Sequence, residues 1–446
     1  MSVIRSSALS NGVKVITKHL DWPTVALGVH LRSGSSFETQ ETNGTAHFIE
    51  HMLFKGTATQ SYSQLVETVE NMGAHMNAYT TRDHTMYSAR CLPGDTEQVT
   101  GILSDIVQHP LFDSNLVENE RSTIVAEGES VASVAEETLY DVVHAHVFSD
   151  HPLGMTVLGP KANIQGMTRD KLVSFSENHC DPRSLTLLAA GDVDHDKLCE
   201  LAEASFQQPS PSSARRVVSP AHFHAGSSRV ARVVKSGTPI PPMPVSHVAI
   251  TFAGVPPQDA EYGAVSALSP LLSLPSTMSG ARELLLGFRV HNVTYANNGF
   301  ISIYCAVPTA KVDDLLKQVG SAVKSLTVAP DLARTLVDSA KVDFHVRTGA
   351  YTFVTGLSSA YTLFGDEVIG SPGCMDPLVR AIERADQAAL SSRIKQMAEP
   401  EQVQITVMDD VSEEQFSRLD GEVYGAVGFG GVRSVGGPDL RDIMLG

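Results

Sequence analysis

The sequence predicts an α+β protein built of two similar tandem domains, each a mixed, mostly antiparallel sheet packed against helices. Three observations lead there. At 446 residues the chain is too long for one comfortable hydrophobic core. Short stretches of alternating apolar residues, suited to strands, are interleaved with longer stretches whose apolar residues recur at the helical period. The third is a repeat in the order of these stretches. "TVALGVHLRSGS" leads into "GTAHFIEHMLFKGT" as "SHVAITFAGVPP" leads into "AEYGAVSALSPLL". "TEQVTGILSDIVQHPLFDSNLVENERSTIV" has its counterpart in "VDDLLKQVGSAVKSLTVAPDLARTLVDSAKV", and "RSLTLLAAGDVDHDKLCELAEASF" in "EQVQITVMDDVSEEQFSRL". A shared order over so long a span indicates an internal duplication.

The break between the copies is "QQPSPSSARRVVSPAHFHAGSS", rich in Pro and Ser and without periodicity. The expected division is therefore a first domain over 1–206, a linker over 207–228 and a second domain over 229–446. No apolar run approaches the roughly 18–20 residues that span a bilayer. A net charge of -17 argues against general nucleic-acid binding, which needs a basic surface. It suits basic ligands, although solubility alone explains it equally well. The five cysteines are dispersed with no Cys-x-x-Cys pair, so reduced thiols are expected rather than a disulfide framework. At the N-terminus, Arg5 and its serines fit the remnant of a short mitochondrial presequence, but "NGVKVITKHL" already reads as a strand.

The chemistry lies in "GTAHFIEHMLFKGT". Apolar Phe48, Ile49, Met52 and Leu53, with no proline, predict a helix beginning near Asn43. His47 and His51 then stand one turn apart on one face, near enough to share a metal ion, with Glu50 toward the same side. This is the inverted form of the common zinc-peptidase motif. The plain alternative is an amphipathic helix using its histidines for packing. Catalytic zinc takes three protein ligands and keeps a fourth position for water, so a further ligand is required. "LVENERSTIVAEGES" offers Glu120 and Glu127, seven residues apart and two turns along one helical face. Glu127 closes the apolar stretch Ile124, Val125 and Ala126, where an inward carboxylate is costly unless paired or metal-bound. The second copy has no His-x-x-Glu-His, so one half alone carries this chemistry.

His47, Glu50, His51 and Glu127, the last 76 positions after His51, resemble the ligand pattern of the pitrilysin/insulinase zinc peptidases. The flanking strings "VENMGAHMNAYTTRDHTMYSA", "LSDIVQHPLFD" and "PLGMTVLGPKANIQGMTRDKL" extend the resemblance over nearly the whole first half. Within the family they are most similar to the processing-peptidase β branch. The resemblance implies one Zn2+ per chain held by His47, His51 and Glu127, with Glu50 as general base and Glu120 supporting the site. It places Phe54 in the pocket for the residue after the cut, and Asn77, Ala78 and Tyr79 on an edge that pairs with extended substrate. It sets Glu137 and Asp141 against an arginine two residues before the cut, and Arg289 and Tyr295 near the substrate carbonyl.

The implied activity is removal of basic presequences from imported precursors in the mitochondrial matrix. The implied companion is an α-type (core 2) subunit that lacks the zinc motif and carries a glycine-rich loop. The late "GAVGFGGVRSVGG" is not where that loop belongs, which favours the β type. The alternative expectation is a catalytically silent core subunit of ubiquinol–cytochrome c reductase, with cytochrome b and cytochrome c1 as neighbours.

Overall fold

The computed structural model describes residues 4–179, 184–206, 219–234, 243–274, 277, 279–347, 376–418, 432–435 and 439–445. The first part runs β1 (Ile4–Ala8), β2 (Lys14–His19), β3 (Val25–Leu31), α1 (Thr45–Leu53), α2 (Tyr62–Asn71), β4 (His75–Thr80), β5 (Thr85–Cys91) and α3 (Thr96–Gln108). There follow α4 (Ser114–Ser133), α5 (Ala135–Val147), α6 (Lys161–Gln165), α7 (Arg169–His179), β6 (Leu185–Gly191) and α8 (His195–Ser205). The second part runs β7 (Gly226–Val233), β8 (Val245–Ala253), α9 (Tyr262–Ser273), β9 (Gly287–Thr294), β10 (Gly299–Pro308), α10 (Val312–Ser325) and α11 (Pro330–Arg347). It ends with α12 (Asp376–Glu383), α13 (Gln387–Gln396), β11 (Val403–Val411), α14 (Glu413–Ser417), β12 (Val432–Val435) and α15 (Leu440–Leu445).

Each part builds a six-stranded sheet. The orders are β1-β2-β6-β3-β5-β4 and β12-β7-β11-β8-β10-β9. Strand by strand the two correspond, including the single parallel pair in each, β2 with β6 and β7 with β11. The duplicated element order thus folds into duplicated topology. The two differ at one outer position, filled in the first sheet by the start of the chain and in the second by its last strand. Central strands read as continuous apolar runs because both faces are covered: β6 (LTLLAAG) and β8 (VSHVAITFA) are buried at every residue.

Contacts divide the chain into two compact units. One is Met1–Ala126 with Val157–Val218 and Val346–Pro377; the other is Glu127–Thr156 with Ser219–His345 and Leu378–Gly446. Within the second, α5 turns Leu139, Val142, Val143 and Val147 onto Val230, Val245, Ala249, Phe300 and Met408. Burying one apolar face of such a helix is what fixes it there. At the C-terminal end of α4, Arg232 Nη1 donates to the carbonyls of Ala132 (3.3 Å) and Ser133 (3.0 Å). Its Nε and Nη2 meanwhile grip Asp410 at 2.9 and 3.0 Å. The last turn of α4 is thereby satisfied by a charged donor that is itself neutralised.

Cys91, Cys199 and Cys305 are free thiols, as dispersed cysteines imply; Cys180 and Cys374 lie outside the described residues. So do residues 207–218 of the expected linker and most of the glycine-rich stretch before β12. Among the described residues, no helix is long and apolar enough to cross a membrane.

Candidate metal centre

Helix α1 starts at Thr45, two residues later than the apolar pattern indicates. The reason is Gly44, which takes the N-cap position with φ of 96°. A side chain there would meet the Leu158 carbonyl oxygen at 2.6 Å in addition to the backbone strain. No residue of the helix caps its own start. That task falls to Glu38, in the segment just before the helix and 4% exposed, whose Oε2 accepts from Gly44 N (2.9 Å) and Asn43 Nδ2 (2.8 Å). Its Oε1 accepts from Ala46 N at 2.7 Å. A carboxyl at a helix N-terminus meets both unpaired amides and the positive end of the dipole.

Burial pushes the Glu38 carboxyl up to about 7, against the downward pull of those donors. The folded state therefore holds a proton that the unfolded chain releases near the ordinary value of 4.5. The contribution of this group to stability is complete below the unfolded value and is lost as pH rises toward 7. Glu38→Gln is expected to remove that part of the pH dependence and to cost about 1 kcal/mol through weakened capping. Urea midpoints of both proteins at about pH 5 and pH 8 measure it; an unaltered pH slope in the variant would refute the assignment.

From this fixed start, Phe48, Ile49, Met52 and Leu53 go into the core. The opposite flank carries His47 and His51, whose rings lie 4.7 Å apart at 70°. Glu127 joins them from α4: one ligand atom each from His47, His51 and Glu127 lies within 4.8 Å of the others. Among the described residues this is the one group of three such side chains gathered closely enough to hold an ion. Two imidazoles and one carboxylate are the donor set of a catalytic zinc, leaving coordination room for water. The residues present fit the metal that the motif implies.

Glu120, two turns before Glu127, does different work. Its Oε1 accepts from His51 Nδ1 at 2.9 Å and its Oε2 from Lys55 Nζ at 3.0 Å. Burial alone would raise this carboxyl, but the hydrogen bonds and charges of His51 and Lys55 outweigh it and bring it below the usual range. An ionised Glu120 must accept, so His51 donates from Nδ1, and Nε2 is the nitrogen that carries the ring's lone pair. A carboxylate behind a histidine in this way orients the ring and raises its basicity toward a metal.

Glu50 is half-buried, and its Oε2 accepts from Thr80 Oγ1 at the end of β4. Phe54 stands edge-on to buried Tyr87, with ring centres 5.9 Å apart. Asn77, Ala78 and Tyr79 lie on β4, the outer strand of its sheet, where the Ala78 amide donates to Asn77 Oδ1 at 2.9 Å.

In the second unit, Glu137 is exposed on the first turn of α5, with Asp141 one turn on and half-buried. Arg289 and His291 reach Glu136, at 3.6 and 2.9 Å. Tyr295 bonds its hydroxyl to His144 Nε2 at 2.7 Å. Sequence reasoning passed over Glu38, Lys55, Thr80, Glu136 and His144. Of these only Lys55 left a signal, a cation one helical turn past His51.

A fold of paired α+β halves, with the inverted His-x-x-Glu-His motif in the first, defines a metallopeptidase. The family profile described as Insulinase (Peptidase family M16) matches residues 14–161, and that described as Peptidase M16 inactive domain matches 166–340. The chain belongs to this peptidase family. It is 33% identical over 411 residues to the mitochondrial-processing peptidase subunit beta of Lentinula edodes, covering 88% of this chain and 86% of that protein. The protein of the same name from Neurospora crassa is 34% identical over 331 residues, 70% of this chain and 68% of its own. A protease from Helicobacter pylori has the same fold, with a TM-score of 0.80 at 18% identity over 92% of this chain and all of its own.

Proposed function

We propose that the chain is a zinc endopeptidase of the processing-peptidase β type that removes basic presequences from precursor proteins in the mitochondrion. The observation carrying this reading is the convergence of His47, His51 and Glu127 beside Glu50, in a chain related over most of its length to β subunits of that name. His47, His51 and Glu127 would hold Zn2+. Bound there, the ion supplies Lewis-acid polarisation of the scissile carbonyl and lowers the pKa of water.

This chain's own residues do the rest. Glu50 takes a proton from water and later returns it to the leaving amine. Glu120 keeps His51 in the tautomer that presents Nε2 outward. Asn77, Ala78 and Tyr79, on an outer strand, receive an extended segment by adding it to the sheet. Phe54 lines the pocket for the residue after the cut, and Glu137 and Asp141 grip the guanidinium of the arginine before it. Tyr295, oriented by His144, and Arg289, steadied by Glu136, attend the substrate carbonyl. An α-type subunit lacking the zinc motif completes the enzyme.

The test is cleavage of a peptide with arginine two residues before the cut, with and without a chelator, using the chain together with the subunit that copurifies with it. Chelation should abolish cleavage and Zn2+ should restore it; chelator-resistant cleavage would sink the reading. Copurification with cytochromes b and c1 and no cleavage would make the chain a scaffold instead. Glu137→Ala should lower kcat/KM about 10-fold for the arginine peptide and much less for an alanine counterpart. Equal losses for the two peptides would refute the arginine pocket.

A further inference from the structure

We infer that Thr80 is a positioning residue for the peptidase reaction: its hydroxyl fixes which oxygen of Glu50 is free to take the proton. The inference rests on Glu50 being the general base, as proposed above. Thr80 is the last residue of β4, and its Oγ1 donates to Glu50 Oε2.

The direction of that bond follows from proton counting. Across the hairpin, Thr80 pairs with Thr85, whose Oγ1 is 3.4 Å away. Thr85 spends its own proton on the Ser33 carbonyl, at 2.5 Å. Each hydroxyl has one proton to give, so that of Thr80 goes to the carboxylate. Oε2 is thereby occupied by a donor, and Oε1 is the oxygen left to accept a proton from water. Once Oε1 is protonated, Oε2 remains a carbonyl acceptor, so the Thr80 bond survives the transfer and the carboxyl does not rotate away.

The hydroxyl is held still by its hairpin. Thr81 Oγ1 accepts from the amides of Asp83 (3.2 Å) and His84 (3.0 Å), and Thr81 N donates to the His84 carbonyl at 2.8 Å. The tip is tied outward as well, since Ser36 N donates to the Arg82 carbonyl at 2.8 Å. Gly34 lies so close that an added Cβ would come within 2.4 Å of the Thr81 carbonyl oxygen. The Thr80 side chain therefore starts from a backbone with little freedom, which is what an orienting group requires.

Valine matches threonine in shape and lacks the hydroxyl. Thr80→Val, assayed in the full chain with its copurified companion, should lose roughly 10- to 100-fold in kcat with KM changed less than about twofold. Its zinc content should equal that of the wild type. Thr80→Ser, which keeps the donor, should recover most of the lost kcat. A second measurement separates orientation of Glu50 from a part in holding substrate. Peptide affinity of Glu50→Gln should equal that of Glu50→Gln/Thr80→Val, because Thr80 acts through the base and not on the peptide.

Unchanged kcat in Thr80→Val would overturn the inference, as would a loss carried by KM, weaker peptide binding in the double variant, or failure of serine to rescue. Wild-type protein without zinc-dependent cleavage would overturn the proposed function itself. An active wild type with an indifferent Thr80→Val would overturn this inference alone.

Discussion

Replacing Glu50 by Gln is expected to cut turnover by about 10²- to 10⁴-fold while the protein keeps its metal. The amide has the size of the carboxylate, and its oxygen still accepts the bond that Thr80 donates, so α1 and the hairpin should stand unchanged. What the amide lacks is a basic oxygen able to take a proton from water and return it. The loss should fall on kcat, because the side chain is needed in the transition state more than for binding. Metal content by atomic emission, measured on the same preparation as the kinetics, gives the decisive comparison. Full activity with glutamine in place would remove Glu50 from the role of base.

The second large effect is expected at Glu127. Glu127→Ala should leave a folded protein that no longer retains zinc through dialysis, with cleavage at background. It would remove one of the three proposed ligands and the anionic one among them, leaving two imidazoles one turn apart on a single helix. Glu120→Gln should behave differently. Glutamine can still accept from His51, but the ionic partner of Lys55 is gone. Such partners behind a ligand typically change metal affinity by about 10- to 100-fold, so added zinc should rescue Glu120→Gln. Zinc retained by Glu127→Ala and lost beyond rescue from Glu120→Gln would mean that Glu120, not Glu127, is the third ligand.

The contrast between those two glutamates shows how far the sequence could be read. His47, Glu50 and His51 declare themselves because helical geometry turns a spacing of three and four into proximity. Glu120 and Glu127 are visible as a pair on one face of a second helix, and the resemblance separates their roles. The repeated order of strands and helices likewise carries over into two sheets of one topology. Thr80 and Glu38 could not be found in the same way. Thr80 reaches Glu50 across 30 positions and Glu38 reaches forward from a loop to a helix start, and no periodicity connects either partner. For α5 the pattern showed an apolar face that must be buried. Which sheet it covers is decided by Val230, Ala249, Phe300 and Met408, far along the chain. The same holds for Arg289, whose carboxylate partner is Glu136, one position from the acidic pair singled out in sequence.

The strand that completes each sheet has a consequence for how the chain is made. β1 forms a hairpin with β2 almost as soon as both leave the ribosome. β7 has to wait for β12, about 200 residues downstream, before its outer flank is covered. Through most of synthesis the nascent second half presents an unprotected ribbon to whatever is nearby, including neighbouring copies of itself. Chaperone dependence and misassembly during production should accordingly track the late arrival of Val432–Val435.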